Sequence, residues 1–458
     1  MPTDETDPAD DDTTLHVTRE LLQAINEGRL PPRALVLIGL EHLASVCPQC
    51  RGELARYRED RRRVTYAGPE GFDHTFRNLE ALLEAHSAEI EAEGRRADEL
   101  FAEVMALPPA DRQEHVKAKI KRYTVGLLAR KLIDAARLAT PADPPALQSL
   151  AQCAFAVCER LSDATPDRGG MMTEAVSLLG NYERLMGQFE NARVLFRLAQ
   201  ATLSEEGVTD PMVYAELDSF RGSLARDVGR LEEAARLVAR AAVVYQGLAE
   251  VEQAAKCGIK LGYIHYQAGE YQDGARAIER ALRHLDRERD ARLIWCGRHN
   301  LTLCLVEMGE LVEASRHFQE DQPLYAAFDD AWTRLRRDWL AGRLVAASDA
   351  DEAVRLLQVA QSGFLVERSV YDAVLVSLDL AQVYMQTQRL GELEHLAAEL
   401  SQVLRIEGAT LAAETLAMLR TVLATISAGS ATVRFLSDAA AALRRLGRPR
   451  RAPGGPAH

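Results

Sequence analysis

Four residues near the amino end, His16, His42, Cys47 and Cys50, have types and spacing that read directly as chemistry. Cys47-Pro-Gln-Cys50 places two thiols two residues apart at a turn, close enough to grip one ion. His42 lies about one helical turn upstream and offers a third ligand, and His16 a fourth. Two imidazoles and two thiolates make a tetrahedral set that suits Zn²⁺, so zinc is the expected cofactor. Two other readings stay open: a helical hairpin that keeps its cysteines without a metal, and a redox dithiol. The dithiol reading calls for a preceding strand, and none is patterned here. His16 reads equally well as a solvated polar residue ahead of a helix.

These ligands must be positioned by a small helical unit over residues 15–60. The order Ile25, Gly28, Leu30, His42, Cys47, Cys50 resembles the zinc-binding anti-sigma domain of bacteria, over residues 16–50 alone. The resemblance implies a sigma factor, or another transcription component, as partner. It departs at one point: His42 to Cys47 is His-x4-Cys, one residue longer than the family's spacing. On an ideal helix that residue rotates His42 by about 100°, which a π-bulge near Val46 would restore.

The rest of the chain is built for helix. It has 458 residues, 47% hydrophobic and only 6% aromatic, with a net charge of −13 from 68 acids and 55 bases. Ala, Leu, Arg and Glu abound, and these lose little rotamer freedom in a helix. The negative balance argues against nucleic acid and anionic membrane as partners. The best apolar run, Ala34 to Val46, is broken by Glu41 and His42, short of the roughly 18 residues a membrane helix needs. The acidic stretch Thr3 to Thr14 does not read as a signal peptide, so the expected location is the cytoplasm. Cys153, Cys158, Cys257, Cys296 and Cys304 lie in apolar helical stretches and read as reduced, buried thiols.

A pattern recurs six times with a period of about 40 residues. Its members are Leu179-Gly180, Gly187, Ala192, Phe196 and Ala199; Gly222, Gly229, Ala234, Val238 and Ala241; and Leu261-Gly262, Gly269, Gly274, Ile278 and Ala281. Then come Leu301, Gly309, Ala314 and Phe318; Leu340-Ala341, Ala353, Leu357 and Ala360; and a weaker Leu380-Ala381, Tyr384, Leu393 and Ala397. Each unit predicts two antiparallel helices, with a turn glycine ending the first and a large residue of the second filling a groove. The pattern resembles the tetratricopeptide repeat over residues 172–405, though its period exceeds the usual 34 residues or so and the terminal proline is missing.

The fold expected is all-α: a right-handed superhelical solenoid of antiparallel helix pairs, preceded by the small amino-terminal unit. The expected domains are an acidic disordered tail (1–14), the zinc-knuckle unit (15–60), a linker beginning at Arg61-Arg62-Arg63 (61–73), a helical cap or degenerate repeats (74–171), the repeats (172–405), capping helices (406–446) and a disordered tail (447–458). Phe76, Leu79, Leu82 and Leu83 space helically, as do Leu127, Leu128, Leu132 and Ile133, and a helix is expected from Ala146 to Leu161 after the breaker Thr140 to Pro145.

By the tetratricopeptide resemblance, the first helices line a concave face that includes Arg226, Lys256, Lys260, Tyr263, Tyr266, His299 and Asn300. Lys beside Asn can hold a carboxylate through charge-assisted hydrogen bonds, so the expected ligand is a peptide with an acidic or C-terminal carboxylate. The plainer alternative makes Lys256 and Lys260 a solvated i,i+4 face. Arg334, Arg336 and Arg337 beside Trp332 and Trp339 read as surface charge flanking packed indoles. No phosphate loop, nucleophile elbow or His-Glu-x-x-His occurs, so no enzyme activity is expected. The leading expectation is a protein-interaction scaffold or adaptor. The alternative is a regulator of anti-sigma or transcription type, with the repeats as sensor, and a DNA-binding regulator ranks last.

Overall fold

In the computed structural model the chain divides into two units, Met1–Ile90 and Glu91–His458. The structure describes residues 91–139, 143–328, 330–367, 369–407 and 413–446. The knuckle unit 15–60 with His16, His42, Cys47 and Cys50, the linker 61–73, the stretch around Phe76 and both tails lie outside the described residues.

Every described element is a helix. Residues 91–105 form α1, followed by α2 (Pro109–Ala118), α3 (Ile120–Tyr123), α4 (Gly126–Ala139) and α5 (Pro144–Cys158). Tyr123, Leu128, Leu132, Ile133, Leu147 and Leu150 are fully buried between them. α5 starts earlier than the expected Ala146. Asp143 accepts from the Ala146 N–H, and the proline pair occupies the first helical positions, where a missing N–H costs nothing. The supposed breaker is thus the helix start.

Six helix pairs follow: α6 (Arg168–Leu185) with α7 (Phe189–Glu205), α8 (Pro211–Asp227) with α9 (Leu231–Gly247), and α10 (Val251–Ala268) with α11 (Tyr271–Leu282). Then come α12 (Ala291–Met308) with α13 (Leu311–Glu320) and a short α14 (Gln322–Ala327), α15 (Ala331–Val345) with α16 (Ala350–Val366), and α17 (Val370–Gln386) with α18 (Leu390–Glu407). The first helices begin at 168, 211, 251, 291, 331 and 370, intervals of 43, 40, 40, 40 and 39 residues. Each helix packs on its chain neighbours, and α8 on α6, α10 on α8, α12 on α10 and α15 on α12 bring the first helices side by side. The described part is an all-α repeat solenoid.

The repeated residues do two jobs. At Gly269 and Gly309 the backbone turns left-handed, with φ of 85° and 80°, and ends the first helix. The sixth unit has no such glycine, and Gln388 takes the same conformation at φ 57°. The other job is close approach: a Cβ at Gly262 would stand 2.3 Å from Ile278 Cγ1 of the facing helix. In the fifth unit the residue in this place is Gly342, one position beyond the expected Leu340-Ala341 pair, against Leu357. In the fourth it is Thr302, whose hydroxyl donates back to the Arg298 carbonyl. Phe318, expected to fill a groove, is half-buried and meets Tyr325 of α14 instead, at 5.5 Å between ring centroids.

Two helices close the described chain, α19 (Ala413–Ser427) and α20 (Val433–Leu446). α19 packs on α18. α20 does not continue the stack: it turns inward onto α17 and reaches α10. Its stripe of Leu436, Ala439, Ala440 and Leu443 is buried.

Candidate functional site

The first helices present their inner faces to a cavity of about 310 Å³. Its wall is made from α8, α10, α12, α15 and α17, with Arg444 of α20 on one side. All seven residues expected on the concave face, Arg226, Lys256, Lys260, Tyr263, Tyr266, His299 and Asn300, line it. A 40-residue step moves from one first helix to the same place on the next, so Lys256, Cys296 and Arg336 form one row and Lys260 and Asn300 another.

The seven are not equivalent. The Arg226 guanidinium is engaged by Asp227 at 2.5 Å and lies 5.7 Å from the Tyr263 ring centroid. Burial alone would raise the Asp227 carboxyl, but Arg226 and Arg184 outweigh it and hold the group at about 2. Tyr266 is buried, stacked on Tyr263 at 5.8 Å, with its hydroxyl at a long 3.4 Å from Glu307 Oε1. His299 is buried too, stacked on Trp295 at 5.8 Å, with Nδ1 2.8 Å from the Tyr325 hydroxyl. Burial first, then Arg336 and Arg343, bring this imidazole down to about 3, so it is neutral at physiological pH. Tyr266 and His299 therefore act as wall, not as charge.

The remaining cations carry the field. Lys260 Nζ donates to Ser219 Oγ at 2.7 Å, and burial brings the ammonium down to about 8. Lys256 is exposed one helical turn away. The Arg336 guanidinium sits 5.7 Å from the Trp332 ring centroid. None of these three has a carboxylate partner among the described residues. The acidic lining residue, Asp372, accepts from the Ser369 hydroxyl at 2.6 Å. A chain of net charge −13 thus keeps a cationic pocket at the centre of its repeats.

Arg336, Trp339, Tyr371 and Arg444 also line the cavity, and no sequence argument singled them out as site residues. Arg336 was expected at the surface, yet the 40-residue register from Lys256 points to it. Trp332 and Trp339 do pack, on Phe364 at 5.2 and 6.0 Å, and Arg337 pairs with its neighbour Asp338. Cys153, Cys158, Cys257 and Cys304 are buried free thiols, while Cys296 is half-buried in the cavity wall. Among the described residues no cluster of His, Cys, Asp and Glu could hold a metal, and no helix is long and apolar enough to cross a membrane.

The geometry has a counterpart among solved structures. A Rap protein complexed with competence and sporulation factor overlays with a TM-score of 0.55 at 13% identity, covering 73% of this chain and 88% of its own. The fold is a tetratricopeptide-like solenoid. A looser overlay, with a TM-score of 0.46 at 14% identity, is made by the apo form of the quorum sensor NprR from B. thuringiensis, over 74% of this chain and 99% of that one. No protein-family model matches the chain, and no curated protein matches its sequence.

Proposed function

We propose that this chain is a protein-interaction scaffold or adaptor that takes a partner's peptide at the concave cavity by a carboxylate, in the cytoplasm. The observation that carries the reading is the set of Lys256, Lys260 and Arg336, which no carboxylate among the described residues meets. Of the three, Lys260 carries the desolvation cost of a cation withdrawn from water, and an incoming carboxylate would relieve that cost while gaining charge-assisted hydrogen bonds. Asn300 adds an amide donor, and Tyr263, Ile259, Leu293 and Leu303 give an apolar wall for the adjoining side chain. The Rap protein of like fold was solved with competence and sporulation factor bound, which supports a role in partner capture.

The test is a fluorescence-anisotropy titration of the full chain with a peptide pool carrying free C-termini and the same pool amidated. The expectation is binding that weakens about tenfold or more on amidation, since a hydrogen bond to a charged group is worth about 1.5–3 kcal/mol. Lys260→Met and Arg336→Gln should weaken the free-carboxylate pool alone. Equal binding of both pools by all three proteins would remove the carboxylate from the reading.

The regulatory alternative keeps the solenoid as sensor and adds a zinc-holding amino-terminal unit contacting a sigma factor or similar component. It rests on the order of His16, His42, Cys47 and Cys50 in the sequence.

A further inference from the structure

Helix α20 breaks the order of the repeats. Its apolar stripe rests on α17 of the sixth pair, and its carboxyl end reaches the turns of the second and third. A Cβ on Gly229 would stand 2.8 Å from the Leu446 carbonyl oxygen, and one on Gly269 would stand 3.1 Å from Arg445 Nη2. One helix thus bridges distant repeats across the inner face, where a bound segment would run.

Besides that stripe, its polar anchors are few. The Tyr371 hydroxyl donates to the Leu443 carbonyl at 3.0 Å, and Gln267 Nε2 to the Arg444 carbonyl at a long 3.4 Å. These are helix-end carbonyls that have no partner inside α20. Arg444 Nη1 stands 2.9 Å from Glu307 Oε1. Glu307 also holds Arg343 at 2.7 Å, and Arg343 Nε is 3.6 Å from Asp379. If α20 left, Glu307 would keep a cation and Arg444 would pass into water, so no buried charge would be stranded. The apolar stripe, Leu436, Ala439, Ala440 and Leu443, is what seats the helix, in the same core cluster as Tyr371, Val374 and Leu378 of α17, so lifting α20 means parting that one apolar contact.

We propose that α20 is an intramolecular latch, seated in the concave groove, that must lift for an extended partner to enter. With α20 in place the cavity is about 310 Å³, at the lower end of small-ligand pockets of about 300–1,000 Å³. An extended peptide advances about 3.3 Å per residue, so the closed pocket admits only its end. The admission step rests on the concave face being the binding surface; the latch itself does not.

Hydrogen exchange of the full chain, read by mass spectrometry, tests the latch without any ligand. Amides of 433–446 should exchange faster than those of 370–386 beneath them. Leu443→Ala and Arg444→Gln should each speed exchange in 433–446 by about tenfold or more, with 331–366 unchanged. Leu443 is not in the cavity wall, and if its variant fails to fold, Arg444→Gln carries the measurement. Exchange of 433–446 in step with 370–386 in every protein would make α20 a fixed layer and end the proposal. A labelled Gly-Ser nonapeptide ending in Leu-Phe with a free carboxylate then probes admission. Its association rate should rise about tenfold in Leu443→Ala, in line with the faster opening. An unchanged rate despite faster exchange would overturn the gating role. No binding by any protein would instead remove the concave-face reading and leave the exchange result to decide the latch.

Discussion

Lys260 donates to Ser219 Oγ across 2.7 Å, and that hydroxyl stands where a counter-ion would be expected. Burial depresses the ammonium, helped by Arg184, Lys256 and Arg226, to about 8 against an ordinary 10.5.

The sign of the pH dependence follows. Between about pH 8 and 10.5 the unfolded chain holds a proton that the folded chain has shed, so stability rises with pH across that window. Lys260→Met should flatten the rise and stabilise the protein at pH 7 by on the order of 1–2 kcal/mol. Urea unfolding at pH 7 and 9.5 measures both. Affinity for a carboxylate peptide should fall as pH passes 8 in the wild type, and show no such step in the variant.

His299 gives the opposite end of the scale. Its imidazole is held at about 3 by burial, against an ordinary 6.5. Below pH 6.5 the unfolded chain takes up a proton that the folded chain refuses, so stability is lost as pH falls toward 3. His299→Gln should lower stability at pH 7, because the contact with Tyr325 changes. It should also lose less between pH 7 and 4 than the wild type. Melting temperatures at the two pH values give the comparison, and equal slopes would contradict this role for His299.

The turn and contact positions predict different costs. Gly262→Ala drives a Cβ to 2.3 Å from Ile278 Cγ1 and should cost about 1–3 kcal/mol by overpacking. Gly309→Ala meets open space but keeps φ at 80°, for about 1–2 kcal/mol. Gln388→Gly removes the same strain at φ 57° and should stabilise by about 0.5–1 kcal/mol. If Gly309→Ala proved the costlier of the two glycine changes, the close-packing account of Gly262 would fail.

The amino-terminal residues predict a metal. Purified full-length protein should contain close to one zinc per chain, and Cys47→Ser or Cys50→Ser should lose it. Chelation should then destabilise the wild type and leave the serine variants unmoved. Zinc far below stoichiometry in the wild type would dismiss the site.

Much of the solenoid was legible in the sequence because its instructions are local and repeated. The turn glycine, the small residue after it and the facing large residue act within one helix pair, and the 40-residue interval copies them. For the same reason the first-helix positions could be named, and Arg226, Lys256, Lys260, Tyr263, Tyr266, His299 and Asn300 all reach one cavity. Local rules said less about charge. That Arg226 is engaged by Asp227 while Lys260 meets only a hydroxyl depends on which side chains the stacked repeats bring together.

The return of α20 had no periodic signal at all. Leu436, Ala439, Ala440 and Leu443 mark an amphipathic helix, and such a stripe would serve as well to cap the stack as to enter the groove. The choice is made by long-range partners: Tyr371 and Gln267 for its end carbonyls, Glu307 for Arg444, and the bare backbone at Gly229 for Leu446. The sequence by itself determined the helices, their pairing and the face they turn inward, since nearest-neighbour contacts suffice for those. Only the tertiary structure decided that a distant helix shares that face, because the contacts that seat it exist only once the repeats have stacked.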